Sequence, residues 1–248
     1  MVGDGVFETM QVVRGEAFTL TRHLRRLRTS AAGMEIDCPA DDTVRTAVAA
    51  VLEANPDAGR LRITVSSGSG PLGSQRGDNP PTLVVAAGAA ASWPPHGSVR
   101  VMPWTRNEGG ATAGLKTTSY AENVLSLRRA NQHGDSEAIF ANTRGELCEG
   151  TGTNVFVERD GQLLTPPLSS GCLAGITREL VLELVDVTET ALPLEALLSA
   201  DAAFLTSSTR DVMPISAVDG TAMPFVPGPL TAAAAEAFAA LKADHTDP

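Results

Sequence analysis

From Leu20 the apolar positions Leu20, Leu24, Leu27 and Ala31 recur at helical spacing with arginines between them. Gly33 supplies a stop, so Thr21 to Ala32 is predicted as an amphipathic helix. A second helix is expected after Asp41 or Asp42, either of which can cap a run in which Val44, Val48, Val51 and Leu52 share a face; Asn55-Pro56 ends it. The period then changes from helical to alternating. Leu61 to Val65 and Thr82 to Ala86 are β-rich runs bounded by glycine and proline clusters, read as a hairpin pair around a Gly/Ser loop. Residues 91–97 carry the punctuation of a linker. They divide a small α+β N-terminal domain, 1–90, from a larger C-terminal domain, 98–248.

In the second half, Val99 to Trp104 and Glu137 to Ala141 read as strands, as do Thr153 to Glu158 and Gln162 to Thr165, turned by Asp160-Gly161. Helices are expected at Tyr120 to Gln132, Thr177 to Val185, Leu194 to Ser199 and Thr231 to Ala243, with a strand at Ala202 to Thr206. Strands and helices mix without a strict βαβ rhythm, which favours an α+β fold over a doubly wound sheet.

Composition adds exclusions. Of 248 residues, 43% are hydrophobic and 19% charged, the profile of a soluble globular protein. Nineteen Lys+Arg against 29 Asp+Glu give a net charge of −10, which disfavours nucleic acid and an anionic membrane as partners. Any anionic ligand must then be held by a local concentration of donors. Three widely spaced cysteines give neither a disulfide framework nor a metal motif, and the four histidines never pair at metal-ligand spacing. With no secretory leader and no long apolar run, a reducing, cytoplasmic setting is expected and no metal.

Three glycine-punctuated segments could carry chemistry. In Gly114-Leu115-Lys116-Thr117-Thr118-Ser119-Tyr120 a lysine sits among small and apolar residues at the mouth of a helix. Partial desolvation would lower its amine pKa and make it a nucleophile toward aldehydes; the plain alternative is a solvated surface lysine. In Glu149-Gly150-Thr151-Gly152-Thr153-Asn154 a carboxylate stands beside glycines that let a ligand approach the backbone, where it could hold a ring nitrogen protonated; the alternative is a turn before a hairpin. Gly171 to Glu179 runs straight into a helix whose first-turn N–H groups, with the Thr177 hydroxyl, make an anion site; simple N-capping by Thr177 is compatible. Arg26 and the cluster Ser207-Ser208-Thr209-Arg210 are ordinary singly. Together with an amine, a carboxylate and an anion loop they are what a phosphorylated aldehyde cofactor needs.

These residues resemble the class IV aminotransferases, the fold-type IV pyridoxal-phosphate enzymes that include branched-chain and D-amino-acid aminotransferases and 4-amino-4-deoxychorismate lyase. The resemblance lies in GDGVFET at Gly3 to Thr9, HLRRL at His23 to Leu27, the lysine of GLKTTSYAENV, EGTGTNVF at Glu149 to Phe156, LAGITRE at Leu173 to Glu179 and SSTRDVMPISAVDG at Ser207 to Gly220. It implies a small N-terminal domain, a larger β-barrel-like domain, a homodimer and the cofactor pyridoxal 5'-phosphate (PLP). It implies that Lys116 forms the internal Schiff base and moves the Cα proton, and that Glu149 pairs with the pyridine nitrogen. Arg26, Ile176, Thr177 and Ser208 would hold the phosphate, and Asn154, Phe7, Tyr120 and Thr209 would stand around the cofactor and the substrate pocket. The implied activity is amino-group transfer between an amino acid or amine and a 2-keto acid. Pyruvate-releasing 4-amino-4-deoxychorismate lyase, for which the Gly68 to Gly73 loop leaves room, is the alternative, and a non-catalytic α+β binding protein is the reading from another class.

Overall fold

The computed structural model describes residues 3–248 and resolves two compact units. The first comprises residues through Ala91 together with Leu115–Tyr120 and His245–Pro248. Its elements are β1 (Gly5–Val13), β2 (Glu16–Ala17), α1 (Leu20–Gly33), α2 (Asp41–Ala54), β3 (Arg60–Ser66) and β4 (Thr82–Gly88). The strands form one antiparallel sheet in the order β2-β1-β3-β4, with Phe7 opposite Thr64 and Ile63 opposite Val85. On β3 the alternation works as expected: Leu61, Ile63 and Val65 are fully buried while Arg60 and Arg62 point outward. The buried side chains meet Leu24, Leu27 and Ala31 of α1 and Val44 and Val48 of α2.

Two features of this unit differ from the sequence reading. Helix α1 buries His23, Arg26 and Ser30 beside its leucines, so the apolar stripe is only half of its inward face. The lysine segment, assigned by sequence to the C-terminal domain, lies along β1 instead. Phe7 N–H donates to the Lys116 carbonyl at 3.0 Å, and Thr118 N–H donates to the Gly5 carbonyl at 2.8 Å. The start of α1 has no cap of its own, since Thr19 has φ 59° and makes no side-chain cap bond. The cap comes from the end of the chain: Asp247 accepts from Thr21 N–H at 2.9 Å, and Thr19 N–H donates to the Thr246 carbonyl at 2.7 Å.

The second unit, Ser92–Gly114 with Ala121–Asp244, contains β5 (Gly97–Val101), α3 (Ala121–Gln132), β6 (Glu137–Ala141), β7 (Leu147–Gly150), β8 (Asn154–Arg159) and β9 (Gln162–Thr165). These are followed by α4 (Ile176–Leu184), β10 (Thr188–Glu189), α5 (Glu195–Leu198), β11 (Ala202–Ser207), β12 (Asp211–Val218), β13 (Thr221–Ala222) and α6 (Pro229–Asp244). A nine-stranded mixed sheet runs β10-β9-β8-β11-β12-β5-β6-β7, with β13 added to β12. Its core includes Val99, Ile139, Leu147, Val155, Leu205 and Ile215, and Phe156 stacks on Phe204 at 4.6 Å between centroids. Among the described residues no helix is long and apolar enough to cross a membrane, and no group of His, Cys, Asp or Glu could hold a metal.

Candidate active site

In the first unit, Lys116, Tyr120 and Phe7 come together. The Lys116 Nζ is 3.5 Å from the Tyr120 hydroxyl and 4.5 Å from the centroid of the Phe7 ring, which meets Tyr120 edge-on at 5.1 Å. The spacing from Lys116 to Tyr120 is set by an irregular turn that Ser119 stabilises, its hydroxyl donating to the Gly3 carbonyl at 2.8 Å. Arg62, on the outward face of β3, lays its guanidinium 3.8 Å from the centroid of the same Phe7 ring. One phenyl ring thus carries both an amine and a guanidinium.

Phe7 and Glu8 are neighbours on β1, so their side chains leave on opposite faces. Glu8 is fully buried and accepts from Arg26 Nε at 2.8 Å, Arg26 Nη2 at 2.6 Å and His23 Nδ1 at 2.6 Å. Burial works to raise the Glu8 carboxyl, but the Arg26 charge and hydrogen bonds, aided by His23, hold it at about 2. Burial pushes His23 below the usual imidazole range despite the pull of Glu8. Arg26, expected from the sequence at a phosphate, commits Nε and Nη2 to Glu8.

In the second unit, Glu149 and Asn154, both expected from the sequence, meet at Leu173. Glu149, near the end of β7, accepts from the Leu173 N–H at 2.8 Å and faces Arg106 Nε at 3.4 Å. Asn154, first in β8, donates to the Leu173 carbonyl at 2.8 Å. Both faces of the Leu173 backbone are therefore pinned, and three residues later α4 begins at Ile176, with Ile176 and Thr177 buried. Gly175 is its N-cap and makes no side-chain cap bond, so Thr177 is not the cap and no side chain caps the first-turn amides. A Cβ on Gly175 would collide with Asn154 Oδ1. Asn154 also sits opposite Thr206 on β11, whose end leads into the Ser207–Arg210 turn that carries Ser208 and Thr209.

Several residues here were not singled out from the sequence: Glu8, His23, Ser30, Arg62 and Arg106. Two buried thiols, Cys148 and Cys172, are held in the neutral form by burial. Burial raises Cys148 strongly, and Cys172 is pushed up to about 12.

Residues 5–218 match the family model for amino-transferase class IV. A provisionally assigned branched-chain-amino-acid aminotransferase of Methanocaldococcus jannaschii is 32% identical over 240 residues, 89% of this chain and 80% of that protein. The D-alanine aminotransferase of Bacillus licheniformis is 31% identical over 245 residues, 92% of this chain and 84% of its own length. Among solved structures, a provisionally assigned 4-amino-4-deoxychorismate lyase from Legionella pneumophila superposes with a TM-score of 0.90 over 98% of this chain and 92% of that one, at 23% identity, a likeness of fold alone. The PLP-bound form of a hypothetical aminotransferase from Mycobacterium tuberculosis gives 0.84 over 98% and 90%, at 29% identity.

Proposed function

The chain belongs to the class IV aminotransferases, which are PLP-dependent enzymes, and from that premise we propose that it moves the amino group of an α-amino acid to a 2-keto acid, with Lys116 as the reacting amine and Arg62 as the clamp for the substrate carboxylate. The observation that carries this reading is the shared ring of Phe7, with the Lys116 amine at 4.5 Å and the Arg62 guanidinium at 3.8 Å. An α-amino acid presents an amine and a carboxylate two bonds apart, and a guanidinium meets a carboxylate with two parallel donors.

The donor set fits PLP: an amine for its aldehyde, the Glu149 carboxylate for its ring nitrogen, and the uncapped start of α4 for its phosphate. When bound, the group supplies an electron sink for the charge left on Cα. The chain supplies the rest. Lys116 Nζ takes the Cα proton and returns it, oriented by the Tyr120 hydroxyl. Glu149, fixed by the Leu173 amide and Arg106, keeps the ring nitrogen protonated. The Ile176 and Thr177 amides, the Thr177 hydroxyl, Ser208 and Arg26 bind phosphate. Asn154 acts through Leu173, and Phe7, Tyr120 and Thr209 face the substrate.

A homodimer belongs to the same proposal. Helix α3 buries Asn123, Ser126 and Ala130 and leaves Val124 and Leu125 64% and 55% exposed, an apolar pair that a second copy would cover. The three free thiols fit a reducing, cytoplasmic setting.

The test is a half-reaction. A single amino acid added to holoenzyme without acceptor should convert the cofactor to its amine form and release one equivalent of keto acid. Release of 4-aminobenzoate and pyruvate from 4-amino-4-deoxychorismate, with no such half-reaction, would establish the lyase instead.

A further inference from the structure

Glu137, on β6, is 1% exposed and has no part in the chemistry above. Its Oε1 accepts from the Thr151 N–H at 3.2 Å, from the Thr151 hydroxyl and from the Ala138 N–H at 2.9 Å. Its Oε2 lies 3.4 Å from the Thr153 hydroxyl and 3.2 Å from Arg210 Nη2. Thr151 and Thr153 belong to the turn that follows Glu149, and Arg210 closes the turn that carries Ser208, its N–H donating to the Ser207 hydroxyl at 3.1 Å. The Arg210 guanidinium lies 4.0 Å from the Trp93 ring centroid, and Nη2 also donates to the Ser136 carbonyl at 3.3 Å.

We infer that Glu137 is a positioning residue whose single buried carboxylate sets the Gly150–Asn154 turn and the Ser207–Arg210 turn in one arrangement, so that Glu149 and Ser208 are presented to the cofactor together. The inference rests on the proposed roles of Glu149 and Ser208. A carboxylate this deeply buried is costly unless it is paired and its lone pairs are filled, and donors from the two turns, with the Ala138 N–H, fill them. Glutamine would not replace it without loss, because its NH2 would face either the Arg210 guanidinium or the Ala138 and Thr151 N–H groups, none of which can accept. The turn also packs on the Glu137 stem, since a Cβ on Gly150 would lie 3.1 Å from Glu137 Cγ.

The experiment compares holoenzymes of E137Q, the double variant T151V/T153V and E149Q with the unmodified protein. Folding is checked by circular dichroism, cofactor loss is followed by absorbance during dialysis against phosphate, and the bound cofactor's spectrum is titrated with pH. The expected result is a ten- to hundredfold faster loss of cofactor in E137Q, a severalfold faster loss in T151V/T153V, and a displaced spectral titration in both. If E149Q shifts the spectrum while folded E137Q and T151V/T153V behave as the unmodified enzyme, Glu137 is only a packed counter-ion and the inference is overturned. If E137Q does not fold, T151V/T153V decides by the same two readouts. If E149Q itself leaves spectrum and retention unchanged, it is the assigned role of Glu149 that fails.

Discussion

The backbone N–H of Lys116 donates to the hydroxyl of Ser30 at 3.1 Å, across 86 residues of sequence. Ser30 is one turn beyond Arg26 on α1 and 1% exposed, so a single helix registers both the lysine backbone and the arginine paired with Glu8. Replacing Ser30 by alanine strands a peptide N–H and should cost about 1–3 kcal/mol of stability. The lysine loses its reference point, so S30A should lower kcat more than it raises KM. Thermal melts and steady-state kinetics on one preparation check both.

The Glu8 cluster makes stability fall with acid. Glu8 sits near 2 in the folded chain against 4.5 for an ordinary glutamate, so its contribution is whole above about 4.5 and disappears as pH drops toward 2. His23, lowered by burial, adds a loss that begins below its ordinary 6.5. The melting temperature should therefore decline below pH 6.5 and steeply below 4.5, and E8Q, less stable at pH 7, should show a flatter decline below 4.5. Melts of the two proteins from pH 7 to 3 decide it.

Arg62 should discriminate carboxylated donors from simple amines. A charge-assisted hydrogen bond contributes about 1.5–3 kcal/mol, so R62A should raise KM for amino acids about 10- to 100-fold. Activity on an amine without a carboxylate should be unchanged. Equal losses on both substrates would refute the assignment.

Borohydride reduction of the holoenzyme, followed by peptide mapping, should place the cofactor adduct on Lys116. K116R keeps the charge but not the nucleophile, and should lose about 10²–10⁴-fold in kcat with the fold intact by circular dichroism.

Gly175 has φ −69°, so alanine there is conformationally tolerable; the obstacle is Asn154. G175A should push the amide side chain off the Leu173 carbonyl and loosen the entry to α4. Faster cofactor loss with a melting temperature within a few degrees of the unmodified protein is the expected pattern.

Where one period persists, the sequence was legible: α1, α2, β3 and β4 follow from their apolar spacing. Strand β1 was not, because Val6, Phe7 and Glu8 are all buried and no alternation survives. Strand β12 was hidden by Pro214, which a strand interior normally rejects. Here it stands where β12 passes from pairing with β11, ending at Pro214, to pairing with β5, beginning at Ile215. The site divides the same way. Lys116, Glu149 and the α4 entry announce themselves by glycine punctuation. Glu8, Ser30 and Glu137 acquire their roles only from partners far along the chain, and Arg62 looks, by strand alternation, like any solvated arginine.

The first unit is discontinuous, and that bears on biosynthesis. Its lysine segment is translated after residue 114, and Thr246 and Asp247, which cap α1, follow the second unit. A chain synthesised only as far as Ala91 therefore holds both helices and the whole small sheet, yet lacks the segment that brings the amine into register and the residues that seal α1.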